Sequence, residues 1–163
     1  MATITSLAPA GGTTMGTRQW KACPVLFSNT IDFAAALAAK GSALASSDVI
    51  EAIRFPAGVL LLGAGIQTIA VDDATTLTLD LGITGGDVDG FVDGYDQAAA
   101  AAGDYATSLF DTSEIHTIMT TADSIDVLFA TLTGTLTVGK IRVWALVVDI
   151  TGELEPGLAQ VGA

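Results

Sequence analysis

The stretch from Asp123 to Ile150, "DSIDVLFATLTGTLTVGKIRVWALVVDI", carries the reading of the fold. Two apolar, β-branched runs flank a short segment bounded by Gly134 and Gly139, and together they read as a hairpin of two long strands. Alternation puts Ile125, Val127 and Phe129 on one face, and Ile141, Val143, Ala145 and Val147 on one face of the returning strand. Trp144, Leu146 and Val148 make that strand's other face apolar as well. A strand apolar on both sides belongs between layers of a protein or between subunits.

The same signal extends upstream. Thr76 to Ile83, "TLTLDLGI", alternates cleanly, with Leu77, Leu79, Leu81 and Ile83 opposite Thr76, Thr78 and Asp80, and so predicts a half-buried strand. Val59 to Val71, "VLLLGAGIQTIAV", is apolar on both faces and predicts a longer strand bent or bulged around Gly63 and Gly65. "DVIEAIRFPAGVLLLGAG" predicts a strand ending at Phe55, a turn at Pro56-Ala57-Gly58 and a second strand, a pattern common in jelly rolls. Two segments are ambiguous. "TIDFAAALAAKG" has helix formers, Lys40 in a last turn and Gly41 as a stop, but no polar face, so a strand through Phe27 to Ala34 followed by a loop is expected. "DQAAAAAGD" predicts a helical turn between Asp96 and Ala102. Many strands with glycine-rich turns and no regular helix alternation indicate an all-β sandwich or barrel.

Composition limits what such a domain does. At 163 residues the chain is one ordinary domain. Half of its residues are hydrophobic and only 15% are charged, against about 25% in average proteins, which leaves too little charge to cover a monomer's surface. A homo-oligomer or a docked subunit is therefore expected. Six basic residues against 18 acidic ones give a formal charge of −12, which disfavours nucleic acid and anionic membranes as partners. The longest uninterrupted apolar stretch, Pro56 to Ile66, is well short of the ~20 residues a spanning helix needs, and the N-terminus lacks the pattern of a secretory signal.

No motif carries chemistry. Cys23 is the single cysteine and His116 the single histidine, so no disulfide forms within the chain and a cupin-type metal centre is excluded. "GGDVDGFVDGYDQ" gathers Asp87, Asp89, Asp93 and Asp96, as calcium loops do. An EF-hand register starting at Asp87 would place Val92 and Ala98 at the glycine and glutamate positions. Starting at Asp89 it supplies Gly94 but then Ala100, so both registers fail. An exposed acidic connection is the expectation, with no catalytic, cofactor-binding or metal residues assigned anywhere. Residues 1–16 carry no charge and read as a flexible arm, residues 17–150 as the β-sandwich, and residues 151–163 as a tail.

The succession "IDFAAALAAKG", "SSDVIEAIRFPAGVLLLGAGI", "TLTLDLGITGGDVDGFVDGYD" and the Asp123–Ile150 stretch, spanning about residues 24 to 150, resembles the small head-decoration, or cement, proteins and related virion proteins of tailed bacteriophages. That resemblance implies a jelly-roll-like antiparallel β-sandwich, usually trimeric, bound to the major capsid protein on the outside of the shell and assembled in the bacterial cytoplasm. It implies a structural protein rather than an enzyme, with no cofactor, and carries over no site residues. A head-fibre, tail or adaptor component of a phage, or a glycan- or calcium-binding β-sandwich module, are the alternatives.

Overall fold

A computed structural model describes residues 3–4, 24–83, 86–109 and 118–150. In chain order the elements are β1 (Thr3–Ile4), β2 (Val25–Asp32), α1 (Phe33–Lys40), β3 (Val49–Phe55), β4 (Val59–Ala70), β5 (Thr76–Ile83), β6 (Val92–Asp96), β7 (Tyr105–Leu109), β8 (Asp123–Thr133) and β9 (Lys140–Asp149). They form two sheets, one of five strands in the order β1-β3-β8-β5-β6 and one of four in the order β2-β9-β4-β7. Apart from β1, which runs parallel to β3, every pairing is antiparallel. Early and late strands interleave in both sheets, which is jelly-roll topology.

The expected hairpin does not form. β8 lies between β3 and β5 in the larger sheet, whereas β9 lies between β2 and β4 in the smaller one. The connection between them crosses from layer to layer, with Gly134 and Gly139 at φ +83° and +112° and Leu136 buried. The reason is physical: alternation fixes which face of a strand is buried but leaves its partner open. Each of these strands gains more by sitting centrally in its own sheet, paired on both edges, than by pairing once with the other. Ile125, Val127 and Phe129 therefore meet Ile141, Val143, Ala145 and Val147 across the sandwich, all fully buried. Each fully buried valine, isoleucine or phenylalanine contributes about 1.5–3 kcal/mol of hydrophobic free energy.

β5 and β4 follow the sequence closely. Leu77, Leu79, Leu81 and Ile83 all face the core, and β4 shifts register between Leu61 and Gly63 and again between Thr68 and Ala70. The turn between Phe55 and Val59 is present, with Gly58 at φ +85°.

The first ambiguous segment divides differently from expectation. The strand ends at Asp32, and a helix, not a loop, covers Phe33 to Lys40. Asp32 caps it, accepting hydrogen bonds from the Ala34 and Ala35 amides at 3.0 and 3.4 Å, and Gly41 ends it in the left-handed region. A two-turn helix at the edge of a sandwich needs only Phe33 and Ala36 buried, so a polar face is dispensable when the outward positions are alanines. The second segment is turns between Gln97 and Ala99, held by Asp96 accepting from the Ala99 amide at 3.0 Å.

The two sheets are tied along both flanks. On one side Asn29 Nδ2 donates to the Ala52 carbonyl at 2.9 Å, and the Phe27 and Phe55 rings meet edge to face at 5.3 Å. On the other, the Thr68 hydroxyl donates to Gln97 Oε1 at 2.8 Å, which spends its only proton, so the Tyr95 hydroxyl 2.7 Å away is the donor to Thr68. Of the segment expected as an arm, Thr3 and Ile4 pair with Val49 and Ile50 at the edge of β3. The rest of it, the 151–163 tail, Cys23 and His116 lie outside the described residues.

Candidate functional site

The two outer faces of the sandwich differ in chemistry. The outer face of the five-stranded sheet carries Glu51 on β3, Asp126 on β8, Asp80 and Thr78 on β5 and Asp96 on β6, as the register places them. Residues 86–91 fold over this face. Ile83 donates its amide to the Asp87 carbonyl at 2.9 Å and Phe91 donates to the Leu81 carbonyl at 2.9 Å, so main-chain bonds fix the loop on the end of β5. Gly82 makes room for it: a β-carbon there would lie 2.1 Å from the Asp87 carbonyl oxygen.

The loop brings Asp87 and Asp89 to the carboxylates of the sheet, beside Asp93 on β6. Asp80 is buried and accepts a hydrogen bond from the Gly94 amide at 2.8 Å. Burial pushes its carboxyl above the ordinary range, and the charges of Asp93 and Asp89 push the same way, against the pull of that amide. Asp87 is raised as well, chiefly by the hydrogen bond it shares with the Asp89 carboxyl. The structure thus gathers the acidic residues that the sequence singled out. Among the described residues, however, no three histidine, cysteine, aspartate or glutamate side chains converge to hold a metal ion.

At the end formed by Leu26, Leu60, Leu146 and Val148 the outer face of the four-stranded sheet is apolar, whereas Ser28, Thr30, Gln67 and Arg142 occupy its other end. Leu26 on β2 lies beside Leu146 on β9, Leu60 on β4 lies beside Val148, and Ile118 bridges to Leu60. The Trp144 ring lies flat over Gly65, where any β-carbon would meet it at 2.7 Å, so the glycine is what lets the indole rest on the sheet. Lys140 and Asp32 pair at 2.8 Å at one end of this face, and that hydrogen bond is the chief reason the Asp32 carboxyl is lowered. Arg142 is exposed there and makes no ion pair among the described residues. Lys40 and Arg54 are paired elsewhere, with Asp48 and Glu51.

An open depression of about 440 Å³ is lined by Tyr95, Asp96, Ala99, Ala100, Gly103, Asp104 and Tyr105. It has neither a nucleophile beside a base nor a cluster of metal ligands, so it offers no recognisable reaction chemistry.

The same fold occurs in phage capsids. A chain in the capsid of Ralstonia phage GP4 superposes with a TM-score of 0.63 at 16% identity, covering 91% of this chain and 98% of that one. A chain of the cyanophage Pam1 capsid asymmetric unit matches with a TM-score of 0.58 at 17% identity, covering 88% and 96%. A third, from the acid-stable capsid of Helicobacter pylori bacteriophage KHP30, matches with a TM-score of 0.56 at 13% identity, covering 80% and 91%. No protein-family model and no curated protein matches the sequence. At these identities the likeness is one of fold. It covers 80–91% of this chain and 91–98% of each of those, so a domain of this size and topology stands as a chain of its own in those capsids.

The sequence had placed Trp144, Leu146 and Val148 on a second apolar face, and that grouping holds, whereas the aspartates expected in one connection divide, with Asp87 and Asp89 in the loop and Asp93 and Asp96 on β6. It missed that the loop docks back onto Asp80. The signal was available in Gly82, a glycine inside an otherwise regular strand, which marks a close approach of backbone.

Proposed function

We propose that this protein is a non-enzymatic structural component of a tailed-phage virion, bound to the major capsid protein on the outside of the shell and stabilising it as a decoration, or cement, protein. The observation that carries this reading is the match of its jelly roll, over 80–91% of this chain, to chains within phage capsids. Three features support it. No catalytic constellation is present among the described residues, the apolar outer face calls for a partner, and the acidity of the other face suits solvent rather than packaged DNA. Self-association, as a homotrimer, and an arm of residues 1–16 that orders against a neighbouring subunit or the shell belong to the same reading.

The test is reconstitution. Purified protein is added to capsids that lack it, and binding and heat resistance are measured. Saturable binding at hundreds of copies per particle, with raised resistance to heat, is expected. Absence of binding would overturn the decoration role. A handful of copies at one location would favour a head-fibre, tail or adaptor component instead.

A further inference from the structure

Where the β4–β5 connection meets the segment after β6, the sandwich closes around polar side chains. Gln97, which follows β6 of the five-stranded sheet, is fully buried, and its main-chain amide donates to the Leu77 carbonyl at 2.8 Å. Thr68 on β4 of the four-stranded sheet, also fully buried, donates to Gln97 Oε1 and accepts from the Tyr95 hydroxyl. These bonds leave two buried atoms without a hydrogen-bond partner, Gln97 Nε2 and Asp72 Oδ2. Such atoms are rare in folded proteins, and each calls for a cause.

Asp72 stands just past the end of β4. Its Oδ1 accepts from the Ala74 amide at 2.8 Å, and Gly139, before β9, lies so close that a β-carbon there would be 2.9 Å from that of Asp72. Burial is the chief cause that raises its carboxyl above the ordinary 3.8. The Ala74 amide opposes this, the charge of Asp73 adds to it, and the Gln97 side chain draws the carboxyl down only weakly, as an amide that faces Oδ2 without closing a hydrogen bond would. The other charged groups on the elements packed here are engaged elsewhere. Asp73 accepts from the Thr137 and Val138 amides, Lys140 pairs with Asp32, and Asp96 and Asp104 hold the Ala99 and Ala101 amides. Among the described residues no basic side chain pairs with Asp72.

We infer that Asp72 and Gln97 form a proton-operated clasp between the two sheets, in which Asp72 Oδ2 takes a proton from solvent and, as a hydroxyl, donates to the lone pair of Gln97 Oε1 that Thr68 leaves open. Closing it removes a buried charge and adds a hydrogen bond between the β4–β5 connection and the segment after β6. Ionised, the same oxygen is a buried charge beside a donor it does not reach. The folded chain therefore holds this proton more tightly than the unfolded one. The clasp closes, and stability rises, as pH falls through the raised value toward 3.8; below 3.8 both states carry the proton and nothing more is gained.

Nuclear magnetic resonance on the full chain, following the Asp72 carboxyl carbon and the Gln97 side-chain NH2 signals through a pH titration, tests it. The Asp72 midpoint is expected above 3.8, and the Gln97 signals should shift with the same midpoint. Asp72→Asn supplies a neutral group of the same shape. It should melt at or above the wild type at pH 7, with the difference shrinking as pH falls toward 4, and its Gln97 signals should no longer titrate. A midpoint at or below 3.8, as a carboxylate hydrated by a buried water would give, would overturn the clasp. So would Gln97 signals that do not follow Asp72, or an Asp72→Asn variant that is unfolded or less stable than the wild type at pH 7.

Discussion

The two outer sheet faces of this jelly roll solve opposite problems with the same device, a glycine in a strand. On the five-stranded sheet, Gly82 lets a peptide backbone lie against β5, and that backbone delivers carboxylates to a surface already acidic. On the four-stranded sheet, Gly65 lets an indole lie against β4 and flattens an apolar surface. The first face accumulates like charge, a cost that water and ions screen and that a contact with another copy would multiply. The second accumulates apolar area, a cost in water that contact relieves. One fold thus separates a charged surface that suits solvent from an apolar one that contact would relieve.

The comparison breaks first in the core, which must hold both faces in place. Val143 is fully buried between the sheets, so Val143→Asp is expected to unfold the protein or cost several kcal/mol, independent of salt. Thr78→Asp, half-buried on the acidic face opposite Asp96, should cost up to about 1 kcal/mol, and added salt should recover part of it. Denaturant melts at two ionic strengths would separate the two. A salt-insensitive loss at Thr78 would remove the electrostatic account of that face.

The glycines come next. Gly82→Ala drives a methyl into main-chain atoms of Asp87 and Val88, which cannot rotate away, so the loop must lift from the sheet. Gly65→Ala meets the Trp144 ring first, at 2.7 Å, and that side chain can swing aside. A loss of about 1–3 kcal/mol is expected for Gly82→Ala and a smaller one for Gly65→Ala, the latter with a shift in tryptophan emission. Equal losses would mean that the indole is held as rigidly as the loop.

The smallest effect is the dependence on pH. Asp80 and Asp87 have folded-state carboxyls raised above the ordinary 3.8, so the folded chain binds protons more readily than the unfolded one in the interval above that value. Their unfavourable contribution is full at neutral pH and is relieved as pH falls through the raised values. Asp32 and Asp73 are lowered, by the hydrogen bonds from Lys140 and Thr137 respectively. Their stabilisation is present above 3.8 and is lost only as pH falls below it through the lowered values. The melting temperature of Asp80→Asn should therefore rise less than that of the wild type on mild acidification. Parallel profiles for the two proteins would show that Asp80 does not carry this dependence.

Much of the fold was legible because burial leaves a period-two trace. The bounds of β5, the inner face of β9 and the β4 bulge at Gly63 follow from where leucines, valines and glycines stand, whereas the second β4 bulge, between Thr68 and Ala70, has no such mark. Pairing was not legible. Nothing in "DVLFATLTGTLTVGKIRVWALVV" distinguishes a hairpin from a crossing, because a jelly roll buries the same residues either way and the choice depends on β2, β3, β4 and β5, far away in sequence. The helix α1 was misjudged for a related reason: its stability lies in two caps and in Phe33 packed against Phe129 at 5.9 Å, not in an amphipathic stripe. Of the candidate surfaces, composition disclosed that an apolar face must exist, and alternation in β9 named half of it. Leu26, Leu60 and Ile118 joined it only once the register was known.

Cryo-electron microscopy of the decorated particle addresses the proposed role most directly. Copies of this jelly roll should stand on the exterior of the shell in contact with the major capsid protein, with their acidic five-stranded sheets facing solvent. Copies inside the shell, confined to the tail, or resting on another copy through the Asp80–Asp96 face would contradict it.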